Sequence, residues 1–275
     1  MKYSCVTKNR VRQLDRFVHY GCPKILVADV FDPWVSPAFP LELKGNDVHI
    51  WRSKLEQPGL HVREFASLLS EKERTRAAGF RFERHKRRFI IGRAILRMIL
   101  ASYLNTEPSQ LQFCYGPHGK PYLTQKSCEA ALQFNLAHSN ELALYAFTVK
   151  RRIGVDLEYI RQIPDVEKMI ARFFPKREYF KVLPNSEKLG AFFNRWTRTE
   201  AYAKAVGTGL ATSFDWFDPS FTREEPISPS GWFITSFKPA PSYTASLVVE
   251  GHNCVLHYFE FVPRNSFDKE KNLQL

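Results

Sequence analysis

Ile153-Gly154-Val155-Asp156-Leu157-Glu158 alternates apolar and small or acidic residues without a break. In an extended strand alternate side chains share a face, so Ile153, Val155 and Leu157 point into a core and Gly154, Asp156 and Glu158 point the other way. Two carboxylates side by side on one face repel each other unless something cationic sits between them. Magnesium prefers hard oxygen ligands and takes one or two protein carboxylates plus substrate phosphates. Gly154 leaves room beside the pair. A solvent-facing edge strand with two unengaged acids has the same spacing, and on spacing alone both readings stand.

Outward from this strand, Phe134-Asn135-Leu136-Ala137-His138 and Leu142–Val149 read as strands joined by a turn at Ser139-Asn140. Leu111-Gln112-Phe113-Cys114-Tyr115 alternates as a strand, and residues 48–52 form another. Gly116-Pro117-His118-Gly119-Lys120-Pro121 is turn chemistry. Lys120 in it is either an exposed loop lysine or a phosphate contact. His138 is either a hydrogen-bonded structural residue or a ligand contact. After Pro164 the chain turns helical around Met169-Ile170 and Phe173-Phe174. Leu189, Phe192, Phe193, Trp196, Ala203 and Val206 follow a helical period over about 188–206, and Gly207-Thr208-Gly209 stops that helix. Trp196, Glu200 and Lys204 form one stripe on it. Glu200 and Lys204 alone also fit an ordinary helical ion pair. Strands near 232–237, 244–249 and 254–262 follow.

The chain has 275 residues, enough to bury a real core. Its net charge is +12, which predicts a polyanionic partner: nucleic acid, anionic lipid, a phosphorylated cofactor or an acidic protein. The charge is concentrated in residues 72–97, where Lys and Arg far outnumber Glu73 and Glu83. Apolar residues at 91, 94, 95 and 98 predict a long amphipathic helix near 84–104, preceded by a shorter one near 70–79 and ended before Pro108. Arg84 and Arg88 lie one turn apart and suit one phosphate; a solvated basic face is the competing reading. A nucleic-acid module would interleave aromatics with the arginines, whereas the aromatics here follow the core period.

Cys5, Cys22, Cys114, Cys128 and Cys254 are scattered without C-x-x-C spacing and read as reduced thiols in a cytoplasmic protein. No run approaches a membrane span, and the first residues lack a secretory pattern. Zinc-ligand spacing, a P-loop and the dinucleotide glycine fingerprint are all missing. Arg81-Phe82 and Arg172-Phe173-Phe174 open comparable helical regions, a hint of internal duplication.

The order of the motifs is more specific than any one of them. Gly119-Lys120-Pro121, then Phe134 to Ser139, then Gly154 to Glu158, then Trp196-Thr197-Arg198-Thr199-Glu200-Ala201-Tyr202-Ala203-Lys204 follow one another at sensible distances. In this the chain resembles the 4′-phosphopantetheinyl transferase superfamily, of the long, pseudo-duplicated kind that includes the surfactin synthetase activator. The likeness covers roughly residues 48–262, and the segment from Phe80 to Arg97 resembles that family's arginine-rich first helix.

The resemblance implies an α/β (α+β) fold with two similar α/β halves related by pseudo-two-fold symmetry and the active site in the cleft between them. Residues 1–47 would be an N-terminal extension, 48–158 the first half, 159–262 the second half and 263–275 a C-terminal tail. It implies a holo-[acyl-carrier-protein] synthase type of enzyme, transferring 4′-phosphopantetheine from coenzyme A to a serine of an acidic apo carrier protein with release of 3′,5′-ADP. The enzyme would act as a monomer, with no nucleic-acid or membrane partner. Asp156, Glu158 and Glu200 match the family's Mg2+ ligands. Glu200 also matches the residue that deprotonates the serine, and Lys204 a lysine on the phosphates. Arg76, Arg88, Lys120, Pro121 and His138 fall where the family grips coenzyme A, with His138 at the 3′-phosphate. Thr199 stands where the family usually has Lys, and Ala137 where many members have Ser, which puts reduced activity or a shifted substrate preference in play. The alternatives are a basic nucleic-acid-binding module, or a carrier-protein binder with reduced catalysis.

Overall fold

In the computed structural model, which describes residues 34–124, 132–174, 178–209 and 231–263, strand β1 (Asp47–Lys54) is buried on both faces through most of its length. One face, with Trp51, meets helices α1 (Val62–Ser67), α2 (Glu71–Ala78) and α3 (Glu83–Leu104). The other, with Val48 and Ile50, meets a second sheet. β1 pairs antiparallel with β5 (Leu142–Val149), and β5 pairs with β4 (Leu132–Ser139). On its other side β1 runs parallel to β9 (Val255–Glu260), giving the order β4-β5-β1-β9. A hairpin of β2 (Phe113–Tyr115) and β3 (Pro121–Leu123) carries the 116–121 turn.

The second sheet has the order β6-β8-β7, from β6 (Ile153–Tyr159), β8 (Tyr243–Glu250) and β7 (Trp232–Phe237). Its inner face puts Ile153, Val155 and Leu157 against Val48, Ile50 and Leu144. Its outer face carries the long helix α6 (Asn185–Val206), with Ala201 and Ala205 against Val248. Helices α4 (Val166–Phe173) and α5 (Glu178–Lys181) close a third apolar cluster with Phe192 and Phe193. The fold is a mixed α/β arrangement, and its alternation in β6 is the one expected from the residues.

Three local expectations change. The room beside Gly154 is not open. A Cβ there would stand 1.9 Å from the carbonyl oxygen of Ala201 and 2.5 Å from the amide nitrogen of Ala205, so the glycine lets the backbone of α6 press onto β6. The first long helix ends at Leu104, as its period predicts, with Asn105 turning left-handed at φ 46° and Pro108 opening a separate 3-10 turn. Leu111 and Gln112 precede β2 rather than belonging to it. Arg81 and Phe82 directly precede α3, whereas Arg172 and Phe173 end α4.

Of the N-terminal extension, residues 1–33 lie outside the described residues, as do residues 264–275 of the tail. Val35 forms a parallel bridge to Phe259 on the free side of β9. Cys114 and Cys254 are free thiols; Cys5, Cys22 and Cys128 fall outside the described residues. No described helix is long and apolar enough to cross a membrane.

β4 and β6 are the facing edges of the two sheets, and side chains join them. Asn135 Oδ1 accepts the Val155 N–H at 2.9 Å, and Ser139 Oγ accepts the Tyr159 N–H at 3.0 Å. Buried edge amides are thereby satisfied without a shared ladder.

Replacing Gly154 with alanine drives a methyl into backbone and is expected to cost about 3 kcal/mol, the upper end of ordinary overpacking. Gly190 of α6 faces open space, so Gly190→Ala should instead gain up to about 1 kcal/mol. Urea denaturation of the two variants checks the contrast.

Candidate active site

α2, α3, the 116–121 turn, β4 and the C-terminal half of α6 enclose a cavity of about 390 Å³. Its two sides differ in charge. Arg76, Arg88 and Arg93 line one wall with His138, while Glu200 and Lys204 of α6 form the opposite side. Lys120 and Pro121 lie at its edge. The predicted coenzyme A contacts Arg76, Arg88, Lys120, Pro121 and His138 therefore share one cavity. Arg84, one turn from Arg88, is exposed and does not line it.

The basic wall is held from behind. Glu73 is 2% exposed. It pairs with Arg97 at 2.6 Å and stands 3.4 Å from Arg93 Nε. Arg97 also donates to the carbonyls of Pro108 and Leu111, at 2.8 and 3.0 Å. Arg93 is buried among the rings of Phe89, Phe113 and Tyr115. Its Nε and Nη1 make no hydrogen bond. Arg93 nevertheless lines the cavity, and a guanidinium so placed suits an anion. Arg88 is engaged by Glu56 at 2.6 Å and by Asn140 at 3.1 Å. His138 is exposed into the cavity. Its pKa is lowered, first by the desolvating walls and then by Lys204 and Arg88.

Lys120 does more than reach outward. Its Nζ donates to the carbonyls of Ile153 at 2.9 Å and Lys204 at 2.6 Å, so it ties the start of β6 to the end of α6. Burial, then Arg152 and Lys204, push its pKa down to about 8. The chain reverses just beyond, at Gly207, with φ 85°.

The three acids gather where α6 lies on β6. Asp156 is 6% exposed. Its Oδ1 accepts from Lys204 Nζ at 2.6 Å, while its Oδ2 is buried without a hydrogen-bond partner. Glu158 Oε2 accepts from Ser139 Oγ at 2.9 Å. Burial raises the pKa of Asp156, against the pull of Lys204. Burial raises that of Glu158 too, with Asp156 adding to it. Glu200 is pushed up to about 7 by burial, then by the charge of Asp156, with Glu158 adding and Lys204 opposing. Glu200 lines the cavity and the two strand acids lie beside it. Their oxygens do not all come within 4.8 Å of one another; among the described residues Asp47, His49 and His257 do so.

One of the two departures is packed away from the cavity. Thr199 is fully buried and donates to the carbonyl of Arg195 at 2.9 Å. Arg198 donates to Ser236 at 2.8 Å, away from the cavity. Ala137 does line the cavity. Arg93, His118 and Asn135 also line it and had no role from the sequence. Arg93 falls within the predicted helix at one turn plus one residue from Arg88, and that spacing was the only available signal.

Residues 152–255 match the family described as the 4′-phosphopantetheinyl transferase superfamily, and residues 41–150 match the N-terminal family of 4′-phosphopantetheinyl transferases. The chain is 41% identical over 224 residues to the 4′-phosphopantetheinyl transferase HetI of Nostoc sp., covering 81% of this chain and 91% of that one. It is 26% identical over 187 residues to the 4′-phosphopantetheinyl transferase Sfp of Bacillus subtilis, covering 65% and 81%. It is also 26% identical over 155 residues to the L-aminoadipate-semialdehyde dehydrogenase-phosphopantetheinyl transferase of Xenopus laevis, covering 53% and 51%.

The raised acid has a consequence for stability. Glu200 titrates near 7 when folded and at its ordinary 4.5 when unfolded. Between those values the folded chain binds the extra proton, so stability falls as pH rises through that window. Glu200→Gln should flatten this fall, as read from thermal melts in chelator between about pH 5 and 8.

Proposed function

The chain belongs to the 4′-phosphopantetheinyl transferase superfamily, and on that premise we propose that it transfers the 4′-phosphopantetheine group of coenzyme A to a serine of an apo carrier protein. It is a phosphopantetheinyl transferase, of the holo-[acyl-carrier-protein] synthase type. The observation that carries the mechanism is the cavity with an arginine wall on one side and Glu200 and Lys204 on the other, with the buried Asp156 paired to Lys204.

Asp156, Glu158 and Glu200 are read as the Mg2+ ligands. The donor set fits: it is all carboxylate oxygen, as Mg2+ prefers, and the buried Asp156 Oδ2 has no hydrogen-bond partner. When bound, Mg2+ supplies positive charge to the pyrophosphate oxygens of coenzyme A. Lys204 pairs with Asp156 and is placed to share its charge with a phosphate. Glu200 lines the cavity, which places its carboxylate to accept the serine proton.

The reaction balances without any other reactant. The serine Oγ bonds to the phosphorus that bears pantetheine, and the bond from that phosphorus to 3′,5′-ADP breaks. The serine proton passes to Glu200. Arg76, Arg88, Lys120, Pro121 and His138 hold the nucleotide part, with His138 at the 3′-phosphate. Arg93, which lines the same cavity, is added to that group.

Residues 48–158 and 159–262 are read as two halves related by a pseudo-two-fold axis. The separate family matches on either side of residue 151 support two halves, with residues 152–158 falling in the second match, and so do the two 22-residue helices, one against each sheet. The protein is read as a cytoplasmic monomer without a nucleic-acid partner. Of the aromatics near the basic run, Phe80 and Phe82 are 37% and 57% exposed, contrary to the core period expected for them. The exposed rings and arginines suit an acidic carrier protein, whose encounter a basic surface speeds.

The direct test incubates the protein with coenzyme A, Mg2+ and apo carrier proteins and reads the carrier's intact mass. Addition of one phosphopantetheine arm is expected; no addition to any carrier would sink the proposal. Asp156→Ala should abolish transfer while circular dichroism stays native. Arg93→Met should raise KM for coenzyme A roughly tenfold or more with little change in kcat, the pattern of lost ground-state binding.

A further inference from the structure

Asp47, His49 and His257 lie outside the cavity and converge on one sheet face. Asp47 and His49 are alternate residues of β1, so they share a face. His257 of β9 sits in register beside His49. One ligand atom from each lies within 4.8 Å of the others. Asp47 Oδ1 and His257 Nε2 are 3.3 Å apart, long for a charge-assisted hydrogen bond. It is the separation of two ligands that each stand about 2.05 Å from a tetrahedral ion, roughly 3.3 Å from one another.

Each ligand is oriented by a group behind it. The Lys44 N–H donates to Asp47 Oδ2 at 3.0 Å and leaves Oδ1 toward His257. Arg151 donates to the carbonyl oxygen of Asp47 at 3.2 Å, not to its carboxylate. His49 Nδ1 meets Tyr103 Oη at 2.7 Å, and that oxygen also accepts the Trp51 indole N–H at 3.0 Å. Phe259 stacks on the His257 ring at an interplanar angle of 6°. Such outer contacts set the tautomer and ring angle of metal-binding histidines. Tyr103 lies in the last turn of α3, whose carbonyl end favours a cation. His257 and Asp47 are 40% and 19% exposed, which leaves an entry path.

We propose that Asp47, His49 and His257 form a transition-metal site that takes Zn2+. Two imidazoles and one carboxylate select zinc-class ions over Mg2+, and three protein ligands leave a fourth position for water. The ion would pin β9, an edge strand of the first sheet that follows the whole second sheet in sequence, onto β1. The site stands independently of the transferase reading.

The test uses tag-free full-length protein with Mg2+ in excess, so that oxygen sites are filled. Zn2+ is titrated by calorimetry and by thermal melting, and Co2+ by visible absorption. Stoichiometric Zn2+ binding, a raised melting temperature and a tetrahedral Co2+ spectrum are expected for the native chain. His257→Gln and Asp47→Asn should each lose all three while keeping native circular dichroism and Mg2+-dependent transfer. Failure of the native chain to bind Zn2+, or Zn2+ binding by His257→Gln as tight as by the native chain, would overturn the proposal.

Discussion

The backbone of α6 touches β6 at Gly154, closer than any side chain would allow. That contact sets the height of the helix above the sheet. It brings Glu200 and Lys204 down to the face where Asp156 and Glu158 stand, so that Lys204 reaches Asp156 at 2.6 Å. It also brings the carbonyl of Lys204 within 2.6 Å of Lys120, which fastens the 116–121 turn over the end of the helix. Three chain segments distant in sequence thus depend on one position that lacks a Cβ.

The charges arranged by this contact are of both signs. Three acids with raised pKa values feel the charge of Lys204, with Arg161 4.0 Å from Glu158, and the buried Asp156 Oδ2 accepts no hydrogen bond from the described residues. Across the cavity, Arg93 is paired from behind by Glu73. Each side lacks what the other would repel, and a polyanion accompanied by a divalent cation satisfies both. Such preorganised groups contribute most where charge is transferred, because they do not have to reorient as it moves.

Much of this was legible in the sequence. The alternation of 153–158 revealed which side chains face α6, and the periods of 84–104 and 188–206 located both long helices. The cavity contacts followed from motif order. What was hidden depends on contacts between distant segments. His257 meets Asp47 across 210 positions, and no spacing rule joins a strand pair such as 47 and 49 to a residue so far away. Gly154 was correctly placed on the acidic face, but a strand pattern says nothing of what lies against it. Arg84 and Arg88 share a helical face by count, yet the cavity curves away from Arg84. Arg93 looked like one more basic residue in a crowded run, because its worth lies in rings from β2 and a carboxylate from α2.

The seam between β4 and β6 has a mechanical meaning. A backbone ladder between two strands breaks register when either strand rotates, whereas the amide of Asn135 and the hydroxyl of Ser139 can swivel and keep their bonds. The two sheets are joined along this line by side chains and by the apolar core between their inner faces, not by a shared ladder. Ser139 belongs to that seam and to the acid cluster at once, since the hydroxyl that accepts from Tyr159 also donates to Glu158. A substitution that removes this hydroxyl therefore loosens the seam and Glu158 together.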